Sequence, residues 1–221
     1  EASARTDSVG AASAHWVLGQ RAGAQRLLAQ VGNPRAIPPF TIAATALAGP
    51  PATLTVQSGQ GQRGPVGGAL PKPIVIQLRD SLGNTLPGVA ISVRTAQGSV
   101  ADTDLVSSPQ GRAMVRWILG PSAGDQQAEV RVDGLESVTR LTAHGIAGAP
   151  AKLLLASFSA KGAPPGAVGL GATVTDALGN PVQGVSVSFA STGGVLSAAR
   201  ARSDAAGRAT VTWTAGTGAG A

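Results

Sequence analysis

The stretch DSLGNTLPGVAISV at residues 80–93 returns as DALGNPVQGVSVSF at residues 176–189, 96 residues later. In both copies an aspartate opens a Leu-Gly-Asn triplet, Leu82-Gly83-Asn84 or Leu178-Gly179-Asn180. Gly and Asn accept the positive φ of a tight reversal, and the preceding Asp80 or Asp176 can take hydrogen bonds from the turn's amides. Asp80, Gly83, Asn84, Asp176, Gly179 and Asn180 are therefore read as turn residues, with the aspartates as turn staples rather than ligands. Beyond the turn, Val89, Ile91 and Val93 alternate with Ala90, Ser92 and Arg94. Successive side chains of a strand point to opposite faces, so this period of two predicts a strand with one apolar face.

The segment GAASAHWVLGQRAGAQ from Gly10 reappears as GRAMVRWILGPSAGDQ from Gly111, and its opening returns as GRATVTWTAGTGAG from Gly207. The junctions AGPPATLTV around Pro51 and AGAPAKLLL around Pro150 also match. A period near 100 residues is the size of a small domain rather than of a solenoid turn. The expected division is the C-terminal part of one domain at 1–48, a complete domain at 49–147, and a domain lacking its last strands at 148–221. The links are short and rich in Ala, Gly and Pro, which predicts abutting domains in a semi-rigid rod.

Within 49–147 strands are expected at 52–57, 73–79, 89–93, 98–106, 112–119, 128–132 and 137–143. Gly and Pro make up 46 of the 221 residues, which disfavours long helices and favours many turns. One-sided strands without helical periodicity are buried economically by packing two antiparallel sheets face to face. The predicted fold is all-β: tandem Ig-like sandwiches, one complete and two partial.

The patterns D-x-x-G-N-x-x-x-G-V and S-x-x-x-G-x-A-x-V-x-W, read from Asp80 and Ser107, resemble the bacterial Ig-like domain of group 1, the repeat of invasin- and intimin-type surface proteins. The resemblance covers Ala48 to Ala221 and the second half of the unit at the N-terminal end. It implies a bacterial extracytoplasmic protein, in the periplasm or at the cell surface. It also implies a stalk module whose fold needs no inter-sheet disulfide, which suits a chain with no Cys.

Trp16, Trp117 and Trp213 occupy one repeat position. Gly111, Ala113, Val115 and Trp117 share a strand face of small or apolar residues, so these Trp are expected in the core rather than on a ligand platform. His15 and His144 have no repeated partner, and a metal site needs three or four convergent ligands. Asp102 and Asp104 could offer two oxygens to Ca²⁺, but the third copy has no acid there. No nucleophile elbow, carboxylate pair or phosphate loop is present, so no catalytic residue, cofactor or metal is assigned. The turn containing Pro34, Pro38, Pro39 and Phe40 replaces a plain charged hairpin of the complete domain, and its prolines are expected to open or bend an edge as a possible partner contact.

The formal charge of +6 comes from 17 basic and 11 acidic residues spread along all three segments, without interleaved aromatics. This argues against nucleic acid as a partner. Apolar stretches are too short or too Pro-broken to span a bilayer. Glu1 stands without an initiator Met or a signal pattern, so the numbering is expected to begin after a processed or truncated segment. The expected function is a non-catalytic structural rod, a spacer or scaffold at the bacterial cell envelope, contacting neighbouring Ig-like domains or a protein partner. The alternative is a protein-binding module docking on a membrane-associated complex as an extrinsic subunit. Each partial domain would expose an apolar face, so either a longer protein or strands from another chain should cover it.

Overall fold

The computed structural model describes residues 3–32, 37–158 and 166–216. Among them every regular element is a β-strand or bridge, and no helix is long and apolar enough to cross a membrane. The strands fall into three groups. The first is an antiparallel hairpin of β1 (Gly23–Ala29) and β2 (Phe40–Ala46), with Gly23 opposite Ala46 and Ala29 opposite Phe40.

The middle group holds ten strands: β3 (Thr53–Ser58), β4 (Gln62–Pro65), β5 (Ile74–Arg79), β6 (Ala90–Thr95), β7 (Ser99–Val100), β8 (Asp104–Val106), β9 (Arg112–Val115), β10 (Trp117–Ile118), β11 (Gly124–Val132) and β12 (Leu135–Ile146). Their alternating residues dictate the packing. A sheet ordered β3-β5-β9 faces one ordered β4-β12-β11-β6-β8, with β7 and β10 paired at the side. Ile74, Ile76 and Leu78 of β5 join Ile91 and Val93 of β6, Ala128 and Val130 of β11, and Leu141 of β12 in one buried cluster. This is an Ig-like sandwich, the fold that period-two strands and Gly-rich turns dictate. One strand escapes that logic. β4 pairs in parallel with β12, Gln62 opposite Ala143, although Gln62-Arg63-Gly64-Pro65 has no apolar alternation.

The third group comprises β13 (Lys152–Phe158), β14 (Ala167–Thr175), β15 (Ser186–Ser188), β16 (Val195–Leu196), β17 (Arg200–Arg202) and β18 (Arg208–Thr214). Its sheets are β13-β14-β18-β16 and β15-β17. Among the described residues Ala172, Val174, Val187 and Ala209 form its buried cluster. Among the described residues nothing matches the β11–β12 hairpin, and the effect is visible in β13. Leu153 and Leu155 are 56% and 66% exposed, while Leu54 and Val56 at the same repeat positions pack against the middle core. Phe158 finds cover of its own by lying across Gly169, where a Cβ would come 2.5 Å from the ring.

The same absence separates the tryptophans. Trp117 is 1% exposed, in a cluster that draws on Ala128, Val130, Leu141 and Ala143 of β11 and β12. Trp16 and Trp213, also expected in the core, are only half-buried. Trp16 lies in a stretch without regular structure. Trp213 has no such hairpin over it among the described residues, and its Nε1 donates to Gly193 O at 2.7 Å and Ser191 Oγ at 3.0 Å.

Candidate functional site

The residues that recur most faithfully meet where one strand group joins the next. Asp80 immediately follows β5, and its carboxylate is surrounded by donors. Oδ1 accepts the amides of Leu82 (2.9 Å) and Asn84 (2.7 Å). Oδ2 accepts Asn84 Nδ2 (2.9 Å) and, from the preceding link, the amide of Gly49 (2.9 Å). Asn84 then reaches back to the first group. Its Nδ2 donates to Gln20 O (2.9 Å) and its Oδ1 accepts the amide of Ala22 (2.8 Å).

The receiving loop is itself held. Gln25 Oε1 accepts the amide of Gly19 (2.7 Å), and Nε2 donates to Gly19 O (3.0 Å) and Arg21 O (2.9 Å). Sequence, turn and junction thus form one device: an Asp that ties turn to link, an Asn that ties turn to the preceding loop, and a Gln that keeps that loop in shape.

The second junction repeats it. Asp176 Oδ1 accepts Leu178 N (2.9 Å) and Asn180 N (2.8 Å); Oδ2 accepts Asn180 Nδ2 (2.9 Å) and Gly148 N (2.9 Å). Asn180 donates to Pro121 O (2.8 Å) and accepts from Ala123 N (2.7 Å). Gln126 binds Gly120 N (2.7 Å), Gly120 O (3.3 Å) and Ser122 O (2.7 Å). Both aspartates have little surface left to solvent, and hydrogen bonds to an ionised group are among the stronger ones.

One sequence expectation is corrected here. Gly83 and Gly179 take the positive φ of the turn, 85° and 91°, but no non-glycine residue with positive φ occurs among the described residues. Asn84 and Asn180 are required for their side-chain amides, whose adjacent donor and acceptor match a backbone C=O and N–H of the preceding group. Sequence reading also missed Gln25 and Gln126, which their 101-residue spacing could have revealed. Ser107 and Ser203 recur likewise. Ser107 Oγ donates to Leu86 O and accepts from Val89 N, and Ser203 does the same with Val182 and Val185.

The carboxylates carry the electrostatics of the joints. For Asp80 the Asn84 side chain is the main cause that draws the pKa down to about 2, assisted by the amides of Gly49, Asn84 and Leu82 and opposed by burial. For Asp176 burial is the largest influence and raises it, but the Asn180 side chain and the amides of Gly148, Asn180 and Leu178 together win, leaving it also at about 2. A carboxylate lowered from 3.8 to about 2 stabilises the folded joint fully above the unfolded pKa, and that contribution fades as pH falls through the folded one. The joints should therefore hold at pH 5 and open between about pH 4 and about pH 2. Scattering profiles across a pH titration check this, and joints unchanged down to pH 2 would contradict it.

The other sequence candidates are not brought together. His15, Asp102 and Asp104 are exposed. His144 Nδ1 lies 2.7 Å from Asp125 Oδ1 beside a cleft of about 290 Å³, and no group of three or more metal-ligating side chains forms among the described residues. Pro38 and Pro39 are exposed and immediately precede β2. Phe40 pairs with Ala29 and is 69% exposed. Pro34 lies outside the described residues.

Comparison with known proteins agrees with this architecture. Residues 166–220 match the bacterial Ig-like domain (group 1). The match covers the third strand group from just before β14, including the Asp176–Asn180 turn and Trp213, and the internal repeat carries these group 1 features one copy earlier, to Asp80, Asn84 and Trp117. Among solved structures, invasin, titled a bacterial integrin-binding protein, aligns with a TM-score of 0.52 at 17% identity, over 88% of this chain and 40% of its own. FdeC, an Escherichia coli adhesin, aligns at 20% identity with a TM-score of 0.47, over 81% of this chain and 61% of its own. The chain thus spans less than two thirds of either structure, and at these identities invasin shares its fold alone. No curated protein sequence matches.

Proposed function

We propose that the chain is a non-catalytic, extracytoplasmic rod of Ig-like units that serves as a spacer or scaffold at the bacterial cell envelope. The observation that carries this reading is the recurrence of one joint: the same six Asp and Asn hydrogen bonds at both junctions. A site shaped for one partner has no reason to occur twice along a chain, whereas an element that sets the angle between units does. The envelope setting rests on the group 1 match and on the fold shared with invasin.

The test is geometric. Asn84→Ala with Asn180→Ala removes both reaching side chains while leaving the Asp-centred turns. A Gly/Ser segment inserted between Gly148 and Pro150 loosens the link instead. Each change should broaden the interunit angles measured by small-angle scattering and by spin-label distances, with unit melting little altered. Unchanged distributions in both would sink the rod reading.

A further inference from the structure

β4 has no apolar pattern to place it, yet it is bonded into the middle unit along its whole length. Gln62, Arg63, Gly64 and Pro65 stand opposite Ala143, His144, Gly145 and Ile146 of β12, in the one parallel pairing among the described strands. Both ends of the run are closed, by the Gly61 amide donating to Thr142 O (3.0 Å) and the Val66 amide donating to Ile146 O (3.0 Å). Just before it, the Gln60 side chain donates to Arg140 O (3.3 Å) and accepts the amide of Thr142 (3.4 Å). Gln62 fixes the start of the strand, donating to Gly59 O (2.8 Å) and Lys72 O (2.9 Å) and accepting the amide of Lys72 (2.9 Å).

The two links meet the middle unit at opposite ends. The first enters beside the Asp80 turn, where the amide of Ala52 donates to Arg79 O (3.0 Å) and that of Gly49 to Asp80. The second leaves from the end of β12. Residues 111–120 run between these ends: Gly111 O accepts the amide of Leu78 (2.8 Å) beside the turn, and Gly120 O accepts the amide of Gly67 (3.1 Å) beside the end of β12. An extended run of that length spans roughly 30 Å. β3 and β4 follow the first link and β12 runs into the second. Once the side-chain bonds of the joints yield, tension between the flanking units draws β3 and β4 back toward the first link and β12 forward into the second.

We propose that β4 is the load-bearing strand of the middle unit, clamped on β12 so that tension along the chain shears the pair instead of peeling it. This deepens the rod reading and rests on it. Parallel strands pulled from the start of one and the end of the other slide along their shared direction, so every bond from Gly61 to Val66 resists at once. Pulled from the same end, the same strands part bond by bond. Unravelling from either link requires this step, because β4 must leave β12 in one case and β12 must leave β4 in the other. The clamp also accounts for the sequence of β4. A strand held by main-chain bonds needs no apolar face, and Pro65 is accommodated because β4 lies at the edge of its sheet.

The experiment pulls single molecules of the full 221-residue chain, which has no Cys of its own, through introduced thiols. Leu47→Cys with Ala149→Cys loads the middle unit from link to link. Leu47→Cys with Asp133→Cys loads β3 and the start of β12 from one end, since a Cβ at Gly134 would lie 3.7 Å from Pro51. Forced unfolding follows the unfolding barrier in the pulled direction, whereas melting has no direction. The unfolding force should be several-fold higher from link to link, with the same melting transition in both double variants. Val66→Pro deletes one donor of the clamp and should lower the link-to-link force while leaving the other direction unchanged, its melting transition reporting that the unit is folded. Equal forces in the two directions overturn the proposal whether or not Val66→Pro folds, and so does a link-to-link force that a folded Val66→Pro leaves unaltered. Scattering that refuted the rod would leave these forces as they are, so the two readings fail separately.

Discussion

Trp117→Ala should unfold the middle unit at temperatures where the parent chain is intact, with a stability loss of about 3–5 kcal/mol. The size follows from complete burial: the indole is 1% exposed and belongs to the cluster that joins the two sheets. Truncating it leaves a cavity between β-sheets that can close only partly. Against a total of about 5–15 kcal/mol for an ordinary domain, that loss removes much of the margin. Two comparisons make the test sharp. Trp117 Nε1 is buried without a hydrogen-bond partner among the described residues, so Trp117→Phe discards an unsatisfied donor along with part of the volume and should cost less than alanine. Trp213→Ala should also cost less, because that ring is only half-buried. Calorimetry resolving the unit transitions measures all three, and an unshifted transition in Trp117→Ala would refute its place as the core plug.

Asp80→Asn and Asp176→Asn should open the joints although they change hardly any volume. At each position one carboxylate oxygen faces two amides of its own turn, and the other faces the Asn side chain and the link glycine, Gly49 or Gly148. An asparagine at the same place supplies an acceptor for only one of these pairs and turns an NH₂ donor toward the other. Donor then meets donor in a buried setting, which costs more than the lost bonds alone. Interunit distances should broaden at neutral pH, and the acid-induced opening expected below about pH 4 should disappear because the group that titrates is gone. A neutral variant that kept parent-like distances would show that the joint does not depend on the carboxylate.

The Ig-like fold was legible wherever a local pattern reports a strand. Ile91 and Val93 alternating with Ser92 and Arg94 announce β6, and Gly111, Ala113, Val115 and Trp117 announce one buried face. β4 was not legible, since Gln62 to Pro65 are placed by the backbone of β12 rather than by their own side chains. The joints were half legible. The bonds of Asp80 within its own turn and the positive φ of Gly83 lie within five residues and could be assigned from turn chemistry, whereas Asp80 also takes the amide of Gly49, 31 residues away, and Asn84 acts on Gln20 and Ala22, 64 and 62 residues away. No local rule connects such positions. Trp213 shows the converse limit, because its exposure depends on a hairpin elsewhere and not on the strand that carries it.

The two sides of each joint are chemically unequal. The following unit contributes the side chains Asp and Asn, while the preceding unit presents only main-chain groups to them: Gln20 O and Ala22 N, or Pro121 O and Ala123 N. Main-chain groups survive most substitutions, so a unit can be received by a neighbour whose loop sequence has drifted, as Gln-Arg-Ala at 20–22 and Pro-Ser-Ala at 121–123 already differ. Duplication or loss of a whole unit by recombination then leaves every remaining junction chemically complete. Reach becomes a quantity that a lineage can lengthen or shorten in steps of one unit, without any compensating mutation at the seam.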